Sequence, residues 1–119
     1  MNYSKEVLDC FFSVRHSGVL MREHSQIKRG EIGTRDQGYV CKLHVRYELD
    51  EIKEAKFQAY GSVLAISACE YVCRWLENKT FKDAKKLTAI HICEKLNLSA
   101  CETYVALIIE RLCKKTLKD

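Results

Sequence analysis

The sequence predicts an α+β fold in which a small antiparallel sheet of about three strands is covered on one face by helices. Residues 39–48 alternate strictly between apolar and polar side chains, which is the pattern of a half-buried strand. A short turn at 49–51 leads into a second alternating run at 54–59, so the two runs are predicted to pair as a hairpin. After Gly61 the apolar period changes from two residues to about three and a half, which predicts helices for the rest of the chain.

The segment before the hairpin predicts a helix, a loop and an edge strand. Ser4 is a suitable residue to cap the first helix. One apolar face runs along this helix at helical spacing, and its members are Val7, Leu8, Phe11 and Phe12. Residues 22–29 are polar and typical of a loop, whereas the residues from Ile32 onward are suited to a third strand at the sheet edge.

The segment after Gly61 predicts the helices that cover the sheet. The first of them has an apolar stripe formed by Ile66, Cys69, Val72, Cys73 and Leu76. Two pairs have the spacing of a capping box that opens a helix: Thr80 with Asp83, and Ser99 with Glu102. The last helix is expected to bury Cys101, Val105, Ile108, Ile109 and Leu112.

Length and composition indicate one domain over residues 1–119 and exclude several classes of protein. A chain of this length buries roughly two thirds of its unfolded surface around a single core. The net charge is +4 with both signs interspersed, without the long basic run of a nucleic-acid tail. No window of about 18 apolar residues could span a bilayer, and no signal sequence is evident. The seven cysteines, an odd number without paired spacing, favour reduced thiols, so we expect a cytoplasmic protein.

Short motifs at several points of the chain form a recognisable frame. The glycine-containing segments are Gly30-Glu31-Ile32-Gly33, Gln37-Gly38-Tyr39 and Phe57-Gln58-Ala59-Tyr60-Gly61-Ser62. The flanking matches are Tyr3-Ser4, Val14-Arg15-His16-Ser17-Gly18, Ala65-Ile66 and Trp75. With these motifs the chain resembles, over essentially its whole length, the U-type iron–sulfur cluster scaffold family, called IscU or the NifU N-terminal domain. The resemblance implies the same α+β fold and a place in iron–sulfur cluster assembly.

The resemblance also implies a cluster site, and this chain departs from the family at each chemical position of that site. In the family, three cysteines, an aspartate, a histidine and a lysine occupy the positions that here are Gln37, Tyr39, Ser62, Glu102, Tyr104 and Val105. Iron and sulfide prefer soft thiolate ligands, whereas Gln37, Ser62 and Val105 offer an amide, a hydroxyl and a hydrocarbon. We therefore expect the ordinary cluster site to be lost and no cofactor to be bound, where the family would bind an iron–sulfur cluster or zinc.

Other cysteines are possible metal ligands, namely Cys41, Cys69, Cys73 and Cys101. Cys69 and Cys73 lie about 6 Å apart on one helix face, but their apolar neighbours favour core packing. Cys41 lies about 13 Å along its strand from Gln37. Cys101 lies a full helical turn before Val105. Because a relocated ligand set would require both elements to shift, we expect no metal site.

Three functional hypotheses remain open. The first is a non-catalytic binding or regulatory partner that docks on a cysteine desulfurase or on an intact scaffold. The second is an iron, zinc or cluster carrier that uses the displaced cysteines, and the third is a silent subunit of a hetero-oligomer with an intact scaffold. No nucleophile with a partnered base is evident, so we expect no enzymatic activity. The histidines are not expected to form a ligand set: His16, His24, His44 and His91.

Overall fold

The computed structural model describes residues 2–21 and 26–118, and a three-stranded antiparallel sheet forms its centre. The strands follow one another in space as they do along the chain, and they are β1 (Gln26–Thr34), β2 (Tyr39–Glu48) and β3 (Glu51–Tyr60). The helices are α1 (Lys5–Phe12), α2 (Val63–Leu76), α3 (Phe81–Ala84), α4 (Ala89–Leu96) and α5 (Thr103–Thr116). Short 3-10 turns precede β2 and α5, at Arg35–Gln37 and Ala100–Glu102.

The β2–β3 hairpin has the predicted strands and the predicted faces. Leu43 lies opposite Phe57, and Val45 lies opposite Ala55. All four side chains are buried, because this face of the sheet is the one that α2 and α5 cover. Helices on one face of an antiparallel sheet confirm the predicted α+β fold.

β1 begins earlier than the sequence pattern predicts. Residues 26–29 are strand rather than loop, and residues 22–25 lie outside the described ranges. Arg29 pairs with His44 across the strands, and its Nη2 donates to the carbonyl of Leu20 over a distance of 2.9 Å. Lys28 and Gly30 pair with the core-facing Val45 and Leu43, whereas the apolar Ile27 pairs with Arg46 on the outer face. The stretch therefore lacks the apolar alternation that would distinguish a strand from a loop.

α1 is capped as predicted but buries a narrower face. The Ser4 hydroxyl accepts a hydrogen bond from the Val7 amide at 3.0 Å. The buried side chains of α1 are Val7 and Cys10, three residues apart, whereas Leu8 and Phe12 are exposed. A two-turn helix that packs on α2 presents only one such i, i+3 stripe to the core, so the wider predicted face is wrong.

α5 confirms most of its predicted stripe and passes very close to β1. Val105, Ile109 and Leu112 are buried, but Cys101 is exposed because it lies in the 3-10 turn before the helix begins. At the other end of α5, a Cβ added to Gly30 would lie 3.0 Å from the Thr116 Cα. The glycine therefore permits the helix backbone to approach the strand, which a larger residue would prevent.

His44 lies on the polar outer face of β2, as the alternation of residues 39–48 predicts, but it is buried there. The Leu20 amide donates to His44 Nδ1 at 3.2 Å. Burial, followed by the nearby charges of Arg29 and Lys42, lowers the pKa of His44. Throughout ranges 2–21 and 26–118, no helix combines the length and apolar character needed to cross a membrane.

Candidate functional site

Two junctions that carry predicted site positions, Gln37 with Tyr39 and Ser62, meet at one end of the sheet. The 3-10 turn Arg35–Gln37 leads into β2, and Gly61 with Ser62 joins β3 to α2. Val40 pairs with Tyr60, which places both junctions at the same end. A Cβ added to Gly61 would lie 3.4 Å from the carbonyl oxygen of Gly38, so the two junctions are in van der Waals contact.

The polar side chains at these two junctions have local structural partners. The Ser62 hydroxyl accepts from the Ala65 amide at 3.3 Å and caps α2. The backbone N–H of Gln37 donates to Thr34 Oγ1 at 3.2 Å. The Thr34 hydroxyl in turn donates to the side-chain oxygen of Gln37 at 3.3 Å. Both residues therefore close the ends of secondary-structure elements.

The ring of Tyr39 fills the space between the junctions and β1. Gly33, which pairs next to it across the strands, has a φ of +91°. A Cβ on Gly33 would lie 2.5 Å from two ring carbons of Tyr39. The phenol thus packs directly on a glycine whose backbone conformation and missing side chain are both required.

The three predicted site positions on the last part of the chain differ in exposure: Glu102 and Val105 are buried, and Tyr104 is exposed. Val105 is 2% exposed and belongs to the same apolar cluster as Tyr39. Glu102 accepts from the Ser99 backbone amide at 2.9 Å, which confirms the predicted return bond of a capping box. Tyr104 is 53% exposed. None of the six side chains at the predicted site positions carries a thiol, the group that binds iron in most iron–sulfur clusters.

The outer face of this sheet end has aromatic and cationic side chains. The Arg35 guanidinium lies 4.6 Å from the centre of the Tyr60 ring, a distance typical of a cation–π contact. Lys42 and Glu31 form an exposed ion pair at 3.7 Å. These groups line a shallow cleft of about 500 Å³, which leaves Tyr60 accessible to a partner.

Two cysteines that the sequence analysis treated separately lie together in the core. Cys41 on β2 and Cys69 on α2 are both buried in the same core cluster, and each thiol affects the pKa of the other. The Cys41 thiol, followed by burial, raises the pKa of Cys69 well above its ordinary value, whereas the Cys69 thiol lowers the pKa of Cys41. The signal was present, since both residues lie on the predicted core-facing stripes.

The other cysteines do not complete a metal centre. Cys73 and Cys113 are buried, and burial raises the pKa of Cys113 to about 12. Within the described part of the chain, no three His, Cys, Asp or Glu side chains are placed to hold a metal ion. Cys101 is exposed beside Ser99, with 3.3 Å between its sulfur and the serine oxygen.

A polar cluster beside β3 was also missed. His16, for which the sequence predicts no side-chain partner, has Glu70 on one ring nitrogen and Glu77 on the other. Glu70, Arg74 and Glu77 follow one another at i, i+4 and i+7, which places them on one side of α2. That polar stripe on an otherwise apolar helix was the available signal.

Comparison with known proteins identifies the family. The model of the NifU-like N terminal domain matches residues 2–118. The chain is 31% identical over 120 residues to the iron–sulfur cluster assembly scaffold protein IscU of Rickettsia prowazekii, covering 100% of this chain and 92% of that protein. It is 30% identical over 118 residues to iron sulfur cluster assembly protein 1 of Trachipleistophora hominis, covering 99% and 86%.

A solved structure agrees with the fold. A putative iron–sulfur cluster assembly scaffold protein for the SUF system from Fervidobacterium islandicum superposes with a TM-score of 0.74 at 15% identity, covering 98% of this chain and 96% of that one. The IscU relative and the solved structure are iron–sulfur cluster assembly scaffolds, and an iron–sulfur cluster is the cargo of this family, so the expectation that no cofactor is bound is wrong. The chain belongs to the family of the NifU-like N-terminal domain, the iron–sulfur cluster assembly scaffolds.

Proposed function

We propose that this chain serves iron–sulfur cluster biogenesis as a non-enzymatic binding partner of the assembly machinery, and that it does not hold a cluster on the six family positions. The partner would be a cysteine desulfurase or an intact scaffold. The observation that carries the proposal is the chemistry at Gln37, Ser62 and Val105. An amide and a hydroxyl that serve as local hydrogen-bond partners, together with a buried hydrocarbon, supply no thiolate for iron.

Exposed aromatic and apolar side chains close in sequence to the former ligand positions support a protein partner. Tyr60 is 49% exposed and directly precedes Gly61. Tyr104 and Leu107 are each 53% exposed and lie three residues apart, so they share one face of α5. Tyrosine is enriched at protein interfaces because its ring buries apolar area while its hydroxyl keeps a polar partner.

Binding to purified cysteine desulfurase and to an intact family scaffold, measured by calorimetry, tests this proposal. The Tyr60→Ala/Tyr104→Ala variant should bind at least about tenfold more weakly, as expected when interface aromatic residues are truncated. Leu49→Asn is the matched control, since Leu49 is exposed in the hairpin turn at the opposite end of the sheet. A wild-type chain that binds neither protein would overturn the proposal.

A second candidate function is a carrier that uses the Cys41 and Cys69 thiols. The observation that favours it is that both thiols lie in the core cluster against which Tyr39 packs, with Cys41 two residues from Tyr39 on the same strand face, a displacement of about 7 Å. Metal or cluster loading that is lost in Cys41→Ser/Cys69→Ser but kept in Cys93→Ser would favour the carrier. Loading that is equal in both variants would exclude this thiol pair.

The remaining predictions stay open. A silent subunit would appear as a stable complex of fixed stoichiometry when the chain is co-expressed with an intact scaffold. A single domain over residues 1–119 is supported by the extent of the family match. The cytoplasmic location stays a prediction.

A further inference from the structure

A fully buried carboxylate organises the segment between α1 and the outer face of the sheet. Glu70 is 0% exposed. Its Oε1 accepts the backbone amides of Arg15 and His16 at 2.9 and 3.0 Å. Its Oε2 accepts His16 Nδ1 and Arg74 Nε, both at 2.7 Å. Burial alone would raise the pKa of Glu70, but these donors lower it below its ordinary value, so the group is ionised at neutral pH.

The His16 ring lies between two carboxylates. Nδ1 is 2.7 Å from Glu70 Oε2, and Nε2 is 2.9 Å from Glu77 Oε1. An ionised carboxylate only accepts hydrogen bonds, so both ring nitrogens must donate for both contacts to be favourable. The geometry therefore matches the doubly protonated ring. A neutral ring would set one nitrogen lone pair against a carboxylate oxygen.

The charged groups around His16 come from its own segment, from α2 with its C-cap and from β3. They are Arg15, Glu54, Lys56, Glu70, Arg74 and Glu77, several of which line a depression of about 370 Å³. Arg74 is itself engaged, with Nη1 on Asp9 at 3.2 Å and Nη2 on the Ser13 carbonyl at 2.8 Å. The direct partners of the ring are thus the two glutamates. Of the nearby cations, Arg74 forms ion pairs with Asp9 and Glu70.

This cluster holds residues 16–18 against the edge strand β3, where they cover part of its outer edge. The Phe57 amide donates to the His16 carbonyl, and the Gly18 amide donates to the Phe57 carbonyl, both at 2.8 Å. The Ala55 amide donates to Glu77 Oε2 at 3.2 Å. Further along the same edge, Ile52 exchanges backbone hydrogen bonds with residues 78 and 79. An uncovered strand edge is a template for pairing with another chain, so this cover decides whether the edge is available.

We propose that His16 is a protonation-dependent latch that keeps residues 16–18 on the edge of β3. With the ring doubly protonated, it bridges Glu70 and Glu77 and the edge is closed. Loss of one ring proton breaks one of the two contacts and frees the edge amides of Ala55 and Phe57. This latch is independent of the proposed partner function.

Amide hydrogen exchange of the full chain, followed by NMR from about pH 5 to about pH 8.5, spans histidine titration and tests the latch. Protection factors corrected for intrinsic exchange should fall at least about tenfold at Ala55 and Phe57 as the pH rises, because a charged hydrogen bond is lost. The amides of Leu43 and Val45, inside the β2 ladders, should show no such change. Equal pH dependence at both pairs, or none at either, would overturn the proposal.

Substitutions of the histidine sharpen the test. His16→Arg keeps a permanent charge with a fork of donors and should give high protection at every pH. His16→Gln should give low protection without pH dependence. His91→Gln is the matched control, because His91 contacts Tyr71 away from this edge, and it should retain the wild-type profile. If either His16 variant fails to fold, the wild-type titration still decides, since it needs no substitution.

Discussion

The edge of β3 and the sheet end at Gly61 use polar side chains in opposite ways. Around His16, charged groups from distant parts of the chain form hydrogen bonds with one another, and Glu70 alone accepts four of them. At the sheet end, the side chains of Ser62 and Gln37 form hydrogen bonds with residues three positions away in the sequence. The polar side chains at this sheet end thus have local capping partners, whereas the buried carboxylate with many donors lies beside β3.

The largest effect is expected when the buried carboxylate beside β3 is removed, and it is an effect on stability. Glu70→Ala removes the acceptor of Arg74, His16 and two backbone amides, leaving buried donors without partners. We expect a loss of about 3–5 kcal/mol in the free energy of unfolding, measured by urea denaturation. A loss below about 1 kcal/mol would mean that water replaces the carboxylate and that the cluster is not costly to disrupt.

The same carboxylate should make stability depend on acid. Its folded-state pKa lies below the ordinary value of 4.5, so the unfolded chain binds the proton more readily. Stability from Glu70 is therefore complete above that ordinary value and is lost as the pH falls through the folded pKa. Urea midpoints of wild type and Glu70→Gln, measured across this range, should converge at the acid end. Parallel curves would contradict the assignment.

A smaller effect is expected at the sheet end. Ser62→Ala removes the cap of α2 and should cost about 1 kcal/mol of unfolding free energy, without a change in partner affinity. Thermal denaturation and the calorimetric binding assay measure the two quantities. A loss of binding with unchanged stability would show that the hydroxyl has a functional rather than a capping role.

The smallest effect is expected on the outer face of the sheet. Lys42→Ala removes an exposed ion pair with Glu31, whose separation is 3.7 Å. Such pairs contribute between zero and about 1 kcal/mol, and less in high salt. Urea denaturation at low and high ionic strength should therefore distinguish this variant only slightly from wild type. A loss of several kcal/mol in the free energy of unfolding would show that the ion pair is structurally important.

Features encoded within a few residues could be predicted from the sequence. The alternation at 39–48 specified β2, and the spacing of Ser99 and Glu102 specified a helix start. The start of β1 was missed, because its core-facing positions are Lys28 and Gly30, which give no apolar signal, while the apolar Ile27 lies on the outer face. Burial of Cys101 was wrongly expected, because helical spacing does not reveal where the 3-10 turn ends and α5 begins.

The same distinction explains the candidate site. Six positions could be named from the motifs, since the glycine frame fixes where the junctions lie. The His16 latch could not be predicted from the sequence, because His16 lies 54 residues from Glu70 and 61 residues from Glu77. The proximity of Cys41 and Cys69 likewise depends on how α2 crosses the sheet, which periodicity does not determine.

Iron and acid-labile sulfide content, measured after anaerobic reconstitution of wild type and of Gln37→Ala/Ser62→Ala, tests most directly whether the family positions still serve a cluster. We expect the two proteins to carry equal amounts of iron and sulfide per chain, because neither side chain supplies a thiolate. A substantially lower content in the double variant would show that these positions hold the cluster after all, and it would contradict the proposed role as a binding partner.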